Sequence, residues 1–167
     1  MKKYCLDMSG FSNPIQAMPE DIHVSLWAQL CDRIRSGIFA ATTEVYEELT
    51  HIPGDLGQCI RDHEAEIKLE VGSGDWNFED YLAIYDGLNP KYESFINGTG
   101  GSKASLSVPD FSIVCLGKAL ALPVVSMENP CAQNVGTKSR KIPDVCVAES
   151  VVHLNFNDLL RAEGIRL

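Results

Sequence analysis

Asp7 closes the first apolar run of the chain, Tyr4-Cys5-Leu6-Asp7-Met8-Ser9. Three further carboxylates, Glu48, Asp110 and Glu128, fall at comparable junctions. In an open α/β sheet, strand ends and helix starts meet in one crevice. Four carboxylates gathered there would repel one another unless a positive charge lay between them. Oxygen donors of this kind suit a hard divalent cation such as Mg²⁺ or Mn²⁺. Water bound to such an ion has a lowered pKa and can attack a phosphodiester, and a second ion would stabilise the leaving oxygen.

Each acid also has a plainer role. Asp after a strand is a common turn former. Glu48 has acidic neighbours in Glu44 and Glu47 and reads alone as a solvated helix acid. Asp110 in a first helical turn complements the helix dipole, worth about 0.3–1 kcal/mol. Glu128 precedes Pro130 by two positions and suits a turn. The metal reading rests on the set.

The pattern predicts the elements that must position them. Residues 4–6 read as a short buried strand and 9–14 as its turn-rich exit. Pro19 opens a helix with the stripe Ile22, Leu26, Leu30 and Ile34, ended by Gly37. Residues 38–41 form a second strand. Thr42 or Thr43 caps the next helix, with Val45 and Leu49 inward. Asp55 starts another, with Leu56, Ile60 and Ile67 inward. Asn77 caps a helix holding Phe78, Tyr81, Leu82 and Tyr85, punctuated from Gly87 to Pro90. Ser107 caps a helix with Pro109 near its first position. Residues 122–127 and 151–154 are strands, 142–150 and 157–162 helices, and Gly164 stops the last. The order β-α-β-α-α-α-α-β-α-β-α predicts one α/β domain over residues 1–167. It is a three-layer α/β/α fold with a mainly parallel sheet of four or five strands. Asp7 and Glu128 then share the carboxyl edge of the sheet. Glu48 and Asp110, placed in early helical turns, point towards the same edge.

Composition narrows the classes. A hydrophobic content of 45% over 167 residues supports one real core. The net charge of −9 counts against indiscriminate binding to nucleic-acid backbones. Six cysteines without a C-x-x-C pair read as buried thiols in a reducing, cytoplasmic compartment. Asp7 breaks the only early apolar run, so neither a signal peptide nor a membrane span is expected. The four histidines lack paired ligand spacing, which disfavours zinc. No cysteine has an evident His partner in sequence, which disfavours a Cys nucleophile. Gly98-Thr99-Gly100-Gly101-Ser102-Lys103 lacks the ending of a phosphate loop and reads as a mobile rim. Trp27, Tyr46 and Trp76 read as packing aromatics before base-stacking ones.

With Leu6-Asp7, Val45-Tyr46-Glu47-Glu48-Leu49, Pro109-Asp110 leading into 119–122, and Val124-Val125-Ser126-Met127-Glu128 in order, the chain resembles the PIN-domain nucleases. The tail, Lys141-Ile142-Pro143-Asp144-Val145-Cys146 followed by Leu159-Leu160-Arg161-Ala162-Glu163-Gly164, looks like one bacterial PIN-like branch of unknown function. The resemblance implies a Mg²⁺- or Mn²⁺-dependent ribonuclease. It implies metal-binding and catalytic roles for Asp7, Glu48, Asp110 and Glu128, with Ser9 supporting the first Asp. Many such proteins are toxins that form homodimers and are restrained by a protein antitoxin. Most carry Asp where Glu128 stands, so this site departs from the pattern. Lys138, Arg140 and Lys141 form the densest basic cluster, suited either to RNA phosphates or to a solvated loop. Asp144 is either a fifth acid or a helix-start residue. Two rivals stay open. A haloacid-dehalogenase-like phosphatase would use Asp7 as nucleophile but wants a second Asp where Ser9 stands. A non-catalytic binding module would keep the fold without chemistry.

Overall fold

The computed structural model describes residues 1–96, 106–131 and 139–166. The expected glycine-rich rim at 98–103 and Lys138 lie outside the described residues. Four short strands, β1 (Tyr4–Leu6), β2 (Phe39–Ala40), β3 (Val124–Val125) and β4 (His153–Leu154), pair in the order β2-β1-β3-β4, all parallel. The winding runs outwards from β1 to β2 on one side and from β3 to β4 on the other. The β1/β3 seam is therefore the switch point, where open α/β sheets hold ligands beyond their carboxyl ends. The register Leu6↔Val125 brings Asp7 and residues 126–128 out of the sheet side by side.

The helices are α1 (Ser9–Ala17), α2 (Val24–Arg35), α3 (Thr43–Leu49), α4 (Gly54–Asp62), α5 (Glu64–Ile67), α6 (Phe78–Tyr92), α7 (Val108–Leu120), α8 (Ile142–Ala148) and α9 (Phe156–Ala162). They complete the three-layer α/β/α fold expected from the sequence. Helix α7 is buried continuously from Phe111 to Gly117 and packs on β1, β3, α3, α6 and α8. Apolar character all round a helix is the mark of such a core position. A second seam joins Phe11 of α1, Phe39 of β2, Trp27 of α2 and Phe156 of α9. Phe11 meets Phe39 edge-on at 5.4 Å and Phe156 edge-on at 6.4 Å. Edge-to-face contacts of this kind add to the area they bury. Thr42, Asn77 and Ser107 cap their helices as expected. No helix among the described residues is long and apolar enough to cross a membrane.

Four local expectations are corrected. Residues 9–14 are not a turn-rich exit but the first turns of α1, with Pro14 inside it. Proline forfeits a helical hydrogen bond there, and burial of Phe11 and Pro14 outweighs that loss. Helix α2 begins at Val24 rather than Pro19, so Ile22 is 71% exposed and leaves the stripe. Glu20 instead caps α4 from a distance, its carboxylate accepting from the N–H groups of Asp55 at 3.1 Å and Leu56 at 2.6 Å. Gly87 and Pro90 do not interrupt α6, which continues to the buried Tyr92. The last helix starts at Phe156, where Asn155 accepts from the Asp158 N–H.

Among the described glycines, Gly57 marks the tightest approach. A Cβ at this position would stand 1.7 Å from the Ile52 carbonyl oxygen. That atom belongs to the backbone of the turn between α3 and α4 and cannot swing away. Gly57→Ala is expected to cost about 1–3 kcal/mol by overpacking. The urea midpoint should fall at unchanged slope; an unaltered midpoint would contradict this close approach.

Candidate functional site

The site grows from Asp7, the residue immediately beyond β1. Its backbone N–H donates to the Val125 carbonyl at 3.0 Å, which keeps it registered on β3. The residue is only 4% exposed. Oδ2 accepts from the Ser9 N–H at 2.9 Å and from the Ser9 hydroxyl. The same hydroxyl accepts from the Met127 N–H at 3.0 Å. Ser9 therefore ties the exits of β1 and β3 together. Gly10 permits this closeness, since a Cβ there would meet the Val125 carbonyl oxygen at 3.1 Å.

Asp110 reaches the seam from the first turn of α7. Its carboxylate accepts from the Ser107 N–H at 2.8 Å, while the Ser107 hydroxyl accepts from the Asp110 N–H at 3.1 Å. This reciprocal capping box fixes the carboxylate. The Thr42 and Ser112 hydroxyls meet at 2.8 Å and join the starts of α3 and α7. Glu48 lies in the last turn of α3, not in an early turn as its flanking pattern suggested. Glu128 follows β3 by three residues. It accepts from the Ile142 N–H at 2.8 Å and from the Lys141 ammonium at 3.4 Å.

Electrostatics links these acids. Burial pushes the Asp7 carboxyl up to about 7, against the pull of the Ser9 hydrogen bonds, and the charges of Asp110 and Glu128 push the same way. Burial, and then the Asp110 charge, also raises the Glu48 carboxyl, with His51 opposing. The four acids form one electrostatic chain, Glu48–Asp110–Asp7–Glu128. They are not a closed cage: among the described residues no three His, Cys, Asp or Glu side chains make a group able to hold a metal ion. The donor set is oxygen only. That suits a cation such as Mg²⁺, which keeps several waters and needs one or two protein carboxylates.

The neighbouring residues divide. Lys141 sits at the acids through Glu128, whereas Arg140 stacks on Phe95 with its guanidinium carbon 4.9 Å from the ring centre. Asp144 serves the start of α8: it accepts from the Lys141 N–H at 2.9 Å and from the Cys131 N–H and thiol, the latter at 3.2 Å. Trp27 and Tyr46 are buried packing residues. Two hydroxyl links escaped the sequence. One is Thr42–Ser112. The other is Ser126, whose hydroxyl accepts from the Glu128 N–H at 3.4 Å and lies 2.8 Å from His153 Nε2. Burial lowers the His153 pKa, with Asp158 opposing. The only signal for either link was a hydroxyl residue close to an expected acid.

Set beside known proteins, residues 4–167 match one family model, described as Domain of unknown function (DUF4411). No curated protein and no solved structure matches the chain.

Proposed function

Because the chain belongs to the DUF4411 family over nearly its whole length, an activity has to be argued from its site, and we propose metal-dependent hydrolysis of RNA phosphodiesters. The observation that carries this reading is the buried Asp7 carboxyl, which faces the charges of Asp110 and Glu128 at the switch point of the sheet. A carboxyl whose pKa is raised by burial and by nearby like charges is a signature of a functional carboxylate. Asp7 and Asp110 would hold Mg²⁺ or Mn²⁺ directly, Glu128 would act on it through the waters it keeps, and Glu48, coupled through Asp110, would orient a water. The bound ion would supply an activated water and stabilise the leaving oxygen. Ser9 holds one Asp7 oxygen in place, and Lys141 offers a positive charge beside Glu128 for a phosphate.

The resemblance to PIN-domain nucleases extends the proposal to a bacterial toxin held by a protein antitoxin, with a homodimer as its assembly. An antitoxin would silence the site by placing a basic side chain among the acids. The Lys141–Glu128 pair is an intramolecular instance of that contact. The non-catalytic module is the second reading, favoured by the lack of a three-residue metal group among the described residues. The phosphatase reading is weaker, because Ser9 occupies the second-Asp position and is committed to Asp7 and Met127.

The test is cleavage of a defined single-stranded RNA with and without Mn²⁺. Wild type is expected to cut only with the ion. Asp110→Asn is expected to lose about 10²-fold or more, the usual scale for removing one electrostatic element of a transition state. Metal-independent cutting, or an unaffected variant, would overturn the assignment. Accumulation of phosphate on Asp7 would favour the phosphatase instead.

A further inference from the structure

A pocket of about 410 Å³ opens between α2 and α4, apart from the Asp7 cluster and with acids of its own, Glu20, Asp55 and Asp62, in its lining. Two thiols line it, Cys31 from α2 and Cys59 from α4. The Cys59 sulfur lies 3.8 Å from the Cys31 carbonyl oxygen and 3.9 Å from Nδ1 of His63, one helical turn further on. The pocket also admits Arg35 and Glu20. Glu20 is occupied in capping α4, and Arg35 pairs with Asp32 at 2.9 Å. Among the described residues no three side chains here form a metal group, so a zinc site does not follow. Two nearly buried thiols lining one pocket do.

We propose that Cys59 and Cys31 are a two-thiol oxidation site, closed to a disulfide by a peroxide that enters the α2/α4 pocket. The roles of the two thiols differ. Burial and the neighbouring Cys59 thiol push the Cys31 thiol up to about 12, which makes it a poor first nucleophile. Cys59 takes the first step as the other thiol of the pocket, its sulfur 3.9 Å from His63 Nδ1, a nitrogen that also lies 2.9 Å from the Cys59 carbonyl oxygen.

The chemistry balances with hydrogen peroxide as the oxidant. The Cys59 sulfur attacks one peroxide oxygen, the O–O bond breaks, and one water leaves after proton transfer. Cys59 is then a sulfenic acid. The Cys31 sulfur attacks that sulfur, the S–O bond breaks, and a second water leaves. Two thiols lose two electrons and two protons in total, and one peroxide becomes two waters. The product staples α2 to α4.

The experiment is peptide mapping under non-reducing conditions after graded hydrogen peroxide, on the full chain. A Cys31–Cys59 cross-link that dithiothreitol reverses is expected, forming before any oxidation of the wholly buried Cys5, Cys115 and Cys146. In Cys31→Ser, Cys59 should persist as a sulfenic acid that dimedone traps. In Cys59→Ser, neither product should form. The proposal is overturned if both thiols stay reduced in wild type while Cys131 oxidises. It is equally overturned if Cys59→Ser leaves Cys31 as readily oxidised as before. The wild-type map needs no variant to fold, and its outcome is independent of any nuclease assay.

Discussion

Asp7→Asn is expected to lower RNA cleavage about 10³-fold and, in the same protein, to raise the melting temperature measured without metal. The two effects share one cause. An ionised Asp7 is expensive in the native protein because it is buried and faces Asp110 and Glu128. A rise from an ordinary value near 4 to about 7 corresponds to about 4 kcal/mol. Asn has nearly the same shape, keeps an oxygen for the Ser9 donors, and carries no charge. For a chain of this size each kcal/mol moves the midpoint by about 2–4 °C, so a gain of about 8–16 °C at pH 8 is expected. A purely structural Asp7 would give the reverse sign, since the loss of a carboxylate acceptor would weaken its hydrogen bonds. Inactivity together with a lower melting temperature would point to a damaged fold. A higher melting temperature with cleavage intact would leave the cluster standing and remove the nuclease.

The outline of the fold was legible because its decisive signals are local. Ser107 followed by Pro109 and Asp110 states a helix start in three residues. The β-branched run before Glu128 states a buried strand. Where reading failed, tertiary contacts outweighed local preference. Pro14 looked like the end of structure, yet Phe11 beside it drives α1 into the core. Ile22 matched a helical stripe by spacing alone, and no neighbour covers it, because the chain uses Glu20 to hold α4 and delays α2. Gly87 and Pro90 resembled a break, but α6 is clamped at both ends by buried tyrosines, Tyr81 and Tyr92.

The placement of the candidate site's residues was legible in the sequence, and their wiring only partly. Asp7 and Glu128 followed directly from parallel strands, because register alone sends both to one edge. Asp110 followed from its cap. Glu48 is coupled to Asp110 although it sits at the end of α3 rather than its start. The links that hold the set, Ser9 to Met127 and Thr42 to Ser112, span 118 and 70 residues. Contacts at that separation leave no periodic trace in one sequence. Asp144 had the composition of a fifth ligand, and its bonds to Cys131 and Lys141 commit it to α8 instead.

Mn²⁺ is expected to stabilise the wild-type protein more at pH 8 than at pH 5, and to lose that effect in Asp7→Asn. The sign follows from linkage. The native Asp7 holds its proton up to about pH 7, while the unfolded chain releases it near pH 4. As pH rises between those values the native state binds more protons than the unfolded one, so Asp7 makes the metal-free protein progressively less stable. Above about pH 7 the penalty is complete. A cation at the cluster competes with that proton, so at pH 5 binding must first displace it and at pH 8 it need not. Ion at about a hundred times its dissociation constant would add about 2.7 kcal/mol. Other groups titrate in the same range: against the opposing effect of burial, Glu149 and Glu163 are held low by their lysines and tyrosines and favour the native state as pH rises. The comparison is therefore the difference between wild type and Asp7→Asn at each pH, which cancels them. That difference should be small near pH 4, open to its full size by pH 7 without metal, and narrow when Mn²⁺ is added. A difference that is flat with pH would mean that Asp7 is ionised throughout, and the electrostatic cluster on which the metal reading depends would be absent.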